Sequence, residues 1–446
     1  MREDGRRSFW RDRPWWIPHF LGSVPEVEKG LLNLLGLVSL ALFFEQYDAS
    51  MLSSALKYIA EDLGMSEANL GRNMGIIRLG ALPALLVLPL ADRLGRRRVF
   101  IASVLGYSLA TFATAFMNSP ASFIAMQMTC RIFMVSAAAT SVVIITEEFP
   151  PNHRGWALGM MGALAACGHG LGAGLFSAIE VLPYGWRALY FFGLIPLALV
   201  PSLIRHVPET RRYSLQQAER ELSGEAGTGP SGWLKPFLSL ATAYPARTLG
   251  VTIIALISAL SAASVFQFYG YYLLTDHGWS PGQYSTMVIL AGMVGIVGNV
   301  VAGRLADRWG RRVVASGFML LFPVAVWCFF RGSGWMLPAG WMMIAFMWMA
   351  CEVMLRAFAT ELFPTSYRGT AAGWTYFIQT IGWTGGLWLL GASREALGGI
   401  AEATSWLSLF ALIGAVAVLF LPESGGRELE DISQEGGASA QSTVSP

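Results

Sequence analysis

Charge is the scarcest commodity in this chain. Only 13% of its 446 residues are Asp, Glu, Lys or Arg, against 54% hydrophobic, where soluble domains carry about 25% charged residues. A water-soluble globule is excluded, and the chain reads as an integral membrane protein. Cysteine is also sparse: Cys130, Cys167, Cys328 and Cys351 all fall inside apolar runs, with no close C-x-x-C spacing. Metal or redox chemistry is therefore not expected, and all four read as small buried fillers. No nucleophile-base pair, metal-ligand cluster or phosphate loop is visible, which argues against an enzyme. The first twenty residues, MREDGRRSFWRDRPWWIPHF, have no apolar core of their own before Leu31, so they are not expected to be a cleavable signal. Their mixture of Arg and Trp reads as a cytoplasmic segment that touches the membrane surface or as a disordered tail.

Long apolar runs are plentiful. Twelve can each span about 30 Å of hydrocarbon with roughly 20 residues. They lie near 31–57, 71–90, 98–117, 120–146, 155–179, 186–206, 247–274, 283–303, 312–331, 337–362, 369–392 and 402–421. They must be helices, because no water is available in the bilayer for open backbone groups. With the N-terminus inside, 23 of the 31 Lys and Arg residues fall in cytoplasmic segments, five outside and three within spans. That bias predicts both termini in the cytoplasm.

The polar charges that remain are patterned. LADRLGRRR at 90–98 returns as GRLADRWGRR at 303–312, and Asp92 and Asp307 are 215 residues apart. EEFPPNHRG at 147–155 answers TELFPTSYRG at 360–369, and PET at 208–210 answers PES at 422–424, both at an offset of 214. Motif pairs at one offset are an internal repeat. The Gly/Ser-rich stretch SGEAGTGPSG sits in the long polar interruption, 207–246. The predicted organisation is a cytoplasmic segment 1–30, a six-helix bundle 31–206, a linker 207–246, a second six-helix bundle 247–421 and a cytoplasmic tail 422–446.

The shared D-R-x-G-R-R spacing of the two basic loops resembles the signature loop of the major facilitator superfamily of transporters. The resemblance implies an all-α membrane protein with twelve transmembrane helices in two pseudo-symmetric six-helix bundles, related by an axis along the membrane normal. Substrate is then expected near the midplane between them. Within the superfamily the chain looks most like the sugar-porter and organic metabolite:proton symporter branches, through the segments ending spans 4 and 10 and the PET and PES motifs. Span 7 lacks the paired glutamines of hexose carriers and span 10 lacks their G-P-x-P-W stretch, which points away from a hexose. FFEQYDASMLSSAL resembles the acid-bearing first helix of proton-linked carriers of organic acids. Gly159, Gly168 and Gly172 in span 5 have the spacing of the antiporter motif of drug exporters, although Ala173 replaces its proline; close helix packing explains the same glycines.

A charge at the bilayer centre costs at least about 2.5–3.5 kcal/mol and should face the interior with a partner. Asp48 lies about 25 Å of helix rise into span 1, Arg78 about 10 Å into span 2 and Arg131 about 16 Å into span 4. Those compatible depths predict pairing of Asp48 with Arg131, Arg78 or both. An arginine that changes partners between states would make such an acid a proton carrier; a static pair fixing helix register is the alternative. Glu45, three residues before Asp48, shares the site or faces the cavity. His169 binds substrate, relays a proton or simply packs. Glu352 and Arg356 can pair along one helix face, as a local pair or as a substrate contact. Gln127, Gln267, Tyr271, Asn299, Gln379 and Trp383 are further candidates for the cavity lining.

The family resemblance implies gate latches at the signature loops. Asp92, with Arg93 beside it, is expected near the start of span 11 around Gly369, where the helix dipole favours an anion. Arg96 or Arg97 is expected near Glu147 or Glu148, and Arg311 or Arg312 near Glu361. Gly95 and Gly310 turn the loops, and Asp307, Arg308, Arg154 and Arg368 complete the set. The resulting expectation is a monomeric carrier in the inner membrane, moving a small organic metabolite, an anion on the strength of its intramembrane arginines, with protons as the coupling ion. No organic cofactor, metal or nucleic acid is expected. A proton-linked exporter and a carrier-derived sensor that binds without transporting are the alternatives.

Overall fold

In the computed structural model the described residues are 24–25, 27–84, 91, 94–150, 152–210, 235–364 and 367–423. Asp92, Arg93, most of the N-terminal segment, 211–234 of the linker and the tail beyond Glu423 lie outside them. The described chain is all helix and turn. Its helices are α1 (Lys29–Ser54), α2 (Leu56–Asp62), α3 (Glu67–Leu79), α4 (Arg96–Thr114), α5 (Pro120–Glu148), α6 (Arg154–Phe176), α7 (Trp186–Phe191) and α8 (Leu194–His206), then α9 (Lys235–Ala243), α10 (Pro245–Thr275), α11 (Pro281–Trp309), α12 (Arg311–Phe330), α13 (Met336–Glu361), α14 (Arg368–Leu397), α15 (Ile400–Ser408) and α16 (Phe410–Leu419).

Among the described residues nine helical segments are long and apolar enough to cross a membrane. The second and third expected spans are not among them. Of the second, the described part is α3 and the helical residues 81–84, with 85–90 outside it, and α4 opens on three arginines. The sixth span is interrupted between α7 and α8, where Gly193 fits against Thr111 with no room for a Cβ. The twelfth breaks at Leu409, after Ser405 and Ser408 turn their hydroxyls back onto the carbonyls of Ala401 and Ser405. Serine back-bonding of that kind bends helices.

Helices α1 to α8 pack on one another, as do α10 to α16, and the two groups meet through α3 on α14, α6 on α11, and α1 and α2 on α10. The repeat seen in the motifs is a repeat of contacts. Gly95 and Gly310 both hold positive φ, 101° and 89°, a region open to glycine at little cost. Each starts a helix that has no side-chain cap of its own. A glutamate from far along the chain supplies the cap. Glu209 Oε1 accepts from the Arg97 amide at 3.1 Å, and Glu423 accepts from the Arg311 and Arg312 amides at 2.8 and 3.2 Å. Arg154 Nε donates to Phe149 O at 2.9 Å, and Arg368 Nε to Phe363 O at 3.4 Å. Gly168 packs against the carbonyl of Phe43, and Gly382, 214 positions later, against that of Leu256.

Glu423→Gln should therefore destabilise the protein by about 1 kcal/mol, the usual scale for losing a cap and its charge at a helix N-terminus. Asp307→Asn should cost less, because Asp307 is 73% exposed where it meets Arg311 at 3.0 Å, and exposed pairs contribute little. Thermal unfolding of the detergent-solubilised protein compares the two; a larger loss for Asp307→Asn would refute the capping role.

Candidate functional site at the junction of the two halves

Helix α1 is held in one rotational setting. Tyr107 of α4 donates to Ala41 O at 2.8 Å, Tyr47 donates to Leu189 O at 2.8 Å, and the Gly168 contact fixes the α6 side. This setting turns both acids of α1 inward: Glu45 and Asp48 are 6% and 2% exposed. Glu45 accepts from Gln46 Nε2 at 3.2 Å. Asp48 Oδ2 accepts from the Cys130 thiol at 3.4 Å, which in turn lies 3.3 Å from Thr111 Oγ1. Asp48 Oδ1 is buried with no hydrogen-bond partner.

The predicted ion pair is not made in this conformation. Among the described residues no arginine nitrogen lies within 4 Å of Asp48, although Arg131 exerts its field on both Asp48 and Glu45. Arg78 points across the junction instead. Its guanidinium carbon sits 4.3 Å from the centroid of Trp383 on α14, a cation–π contact between the halves. The Nε atoms of Arg78 and Arg131 are buried without partners. Tyr376, seven residues before Trp383 and so on the same side of α14, feels Arg131, Glu45 and Arg78.

Behind Trp383 stands an aromatic wall from α10 and α13. Trp383 and Trp348 are 5.7 Å apart edge to face, Phe266 lies 5.2 Å from Trp348 and 5.5 Å from Trp341, and Trp341 stacks on Tyr269 at 3.8 Å. On the α13–α14 side, Gln379 Nε2 donates to Glu352 Oε1 at 2.9 Å, and Arg356 meets Glu352 at 3.8 Å with its own side chain 77% exposed. The i, i+4 spacing on α13 and the packing of α14 against it bring Glu352, Arg356 and Gln379 into one chain of contacts.

Other sequence candidates fall elsewhere. Gln127 is buried and donates to Thr114 at 3.1 Å, so it packs α5 on α4 and does not line a cavity. Tyr271 lies near the Thr275 end of α10, beside Phe268 and in the field of Glu67 and Asp276, away from the midplane. Gln267 is buried with Nε2 unpartnered, while Asn299 and His169 are half-buried. Gly168 and Gly172 press against Phe43 and Ser50 of α1 while Gly159 has open space, which accounts for two of the span-5 glycines by packing. The cysteines also divide: Cys130 and Cys351 are buried, but Cys167 and Cys328 are exposed.

The arginine–acid pairs expected at the signature loops are both made. Arg96 Nη2 meets Glu147 at 3.4 Å, and Arg311 meets Glu361 at 2.9 Å. Both partners of each pair belong to the same half, so the pairs can persist while the halves move. Arg97 reaches Ile204 O, again within its own half; Arg308 is exposed, and Glu148 has a contact of its own. Among the described residues, the hydrogen bonds and ion pairs joining the halves lie at the end opposite these arginines. Ser54 Oγ is 3.0 Å from Tyr284 OH, Lys57 donates to Leu274 O at 2.9 Å, and Arg394 pairs with Glu67 at 3.1 Å. There Gly71 and Gly75 of α3 lie directly on Leu387, Gly391 and Trp388 of α14.

Sequence reasoning missed Tyr376, the role of Cys130, the aromatic wall behind Trp383 and the capping by Glu209 and Glu423. The i, i+7 spacing to Trp383 was the available signal for Tyr376, and the repeated PET/PES motif for the glutamates.

A profile described as Major Facilitator Superfamily matches residues 38–387 and 251–424. A gallate transporter of Pseudomonas putida is 28% identical over 410 residues, covering 86% of this chain and 90% of the relative. The 4-hydroxybenzoate transporter PcaK of Pseudomonas aeruginosa is 26% identical, covering 85% and 90%. Among solved structures, an inward-facing, unoccupied bacterial homolog of the human lysosomal transporter Spinster superposes with a TM-score of 0.73 at 14% identity, covering 92% of this chain and 99% of that one.

Proposed function

The chain belongs to the major facilitator superfamily, and on that premise we propose that it carries an aromatic carboxylate into the cell with protons. It acts by alternating access in the cytoplasmic membrane, with both termini inside. One observation carries this reading. Arg78 and Arg131 have no acid within 4 Å among the described residues; Arg78 lies directly over the Trp383 ring, and Arg131 is close enough to act on Arg78 and on Tyr376 of the same helix. Two guanidiniums at membrane depth without a direct acid partner are costly. A carboxylate between them is the ligand that relieves the cost, through charge-assisted hydrogen bonds. The wall of Trp383, Trp348 and Phe266 offers ring faces and edges to an aromatic ring. The gallate and 4-hydroxybenzoate carriers support this substrate class. The Lys/Arg bias supports placing the arginine-rich end in the cytoplasm, and with the opposite end sealed the conformation is open inward.

Glu45 and Asp48 are the proton-carrying groups in this reading. Their carboxyls lie in the field of Arg131. A substrate carboxylate that engages Arg131 withdraws that field and favours protonation of the acids.

Thermal-shift titration of the purified protein tests the ligand class. A ligand at 100 times its Kd stabilises by about 2.7 kcal/mol. 4-Hydroxybenzoate and gallate should stabilise the wild type, and their uncharged amides should not. Arg131→Gln should weaken 4-hydroxybenzoate about tenfold to 100-fold, the span of a lost hydrogen bond to a charged group. Equal binding of the amide and the acid, or an unaffected Arg131→Gln, would remove the carboxylate from the reading.

A further inference from the structure

A cleft of about 380 Å³ lies away from the junction, between α1, α6 and α8. Its walls change character along its length. At the arginine-rich end they carry Asn33, Ser202 and His206; deeper they carry Leu40, Phe43 and Leu164. The Arg97 contact with Ile204 fixes the polar mouth at that end. Arg205, exposed, is next to His206 and three residues beyond Ser202, on the same stretch of α8. From Asn33 to Phe43 the helix rises about 15 Å, which is half of the roughly 30 Å hydrocarbon core and so one leaflet.

Two details show that this space is not a packing remainder. Ser39 lines the cleft, is fully buried, and its hydroxyl has no partner. A buried hydroxyl without a hydrogen bond is costly. The corresponding seam of the other half, between α10 and the end of α16, is closed: a methyl placed on Gly250 would stand 2.5 Å from Leu421.

We propose that the cleft is a binding site for an anionic membrane phospholipid. Its phosphate sits at the mouth among Asn33, Ser202 and His206, with Arg205 supplying positive charge. One acyl chain runs past Leu40 and Phe43. Basic pockets between helices on the cytoplasmic side take such headgroups. The site is independent of the aromatic-acid reading, because none of its residues belongs to the junction.

The test uses full-length protein reconstituted in vesicles of phosphatidylethanolamine, phosphatidylcholine and phosphatidylglycerol in equal parts, extracted mildly and weighed by native mass spectrometry. The wild type should retain phosphatidylglycerol. Gly36→Leu and Ser39→Leu, which fill the cleft, should lose it, while Gly292→Leu, which adds the same bulk at an open position on α11, should keep it. Should the filled variants fail to fold, Arg205→Gln combined with His206→Ala leaves the cleft open and should abolish the preference for phosphatidylglycerol over phosphatidylcholine. Retention of phosphatidylglycerol by folded filled variants, no preference among the lipids in the wild type, or an unchanged preference in the double variant would each overturn the proposal.

Discussion

Gly71→Leu should stop transport while leaving the protein folded and inserted. A Cβ at Gly71 would lie 2.8 Å from Leu387 O and 2.9 Å from Gly391 N, both backbone atoms of the other half. Backbone cannot step aside as a side-chain tip can, so α3 and α14 must separate at this point. The contact belongs to the sealed end, together with the Arg394–Glu67 and Ser54–Tyr284 bridges. A carrier that cannot seal that end cannot present its site inward. Uptake should fall to background, and a cysteine placed at Ser54, at the sealed junction, should label readily from outside. Binding from outside should survive, since the site lies deeper. Gly159→Leu, at a position with open space around it, serves as the control for bulk. Normal uptake by Gly71→Leu would mean that this seal is not part of the cycle.

Asp48→Asn should separate exchange from accumulation. The amide keeps the size of the carboxyl and can still accept from Cys130, now at 3.4 Å, but it carries no proton. Counterflow of substrate between two equal pools should continue. Uphill accumulation should vanish. A gradient of one pH unit is worth about 1.4 kcal/mol, or tenfold accumulation per proton, so the loss is large and easily measured. Cys130→Ser should preserve accumulation, because a hydroxyl still donates to the carboxylate. Accumulation by Asp48→Asn at the wild-type level would remove this acid from coupling.

Much of this architecture is written in short motifs, and its limits are physical. The repeat is legible because Gly95 and Gly310, Glu209 and Glu423, and Arg154 and Arg368 each perform backbone tasks that only certain residue types can perform. Depth is legible as well, since helix rise is fixed; Arg131 does come close enough to act on both Asp48 and Arg78. Rotation about each helix axis is not legible. It is set by tyrosine bonds to Ala41 and Leu189 and by a glycine pressed on Phe43, contacts between segments far apart in sequence. For that reason Asp48 meets Cys130 where an arginine was expected, and Arg78 meets Trp383. The same ignorance of rotation put Gln127 on a cavity wall. The loop pairs Arg96–Glu147 and Arg311–Glu361 were legible because a motif states which charges attract; it does not state which bodies they join.

The central claim is that an aromatic carboxylate and protons move together through the site between Arg131, Arg78 and Trp383. Proteoliposomes holding the wild-type protein measure this directly, with labelled 4-hydroxybenzoate outside and an inside-alkaline pH gradient. The account predicts accumulation above the outside concentration that collapses when a protonophore is added, with pH-gradient decay quickened by substrate. The undissociated acid can leak across the bilayer on its own, so protein-free vesicles set the baseline. Uptake no greater than that baseline, or accumulation above it that survives the protonophore with no substrate-linked proton flux, would contradict the account.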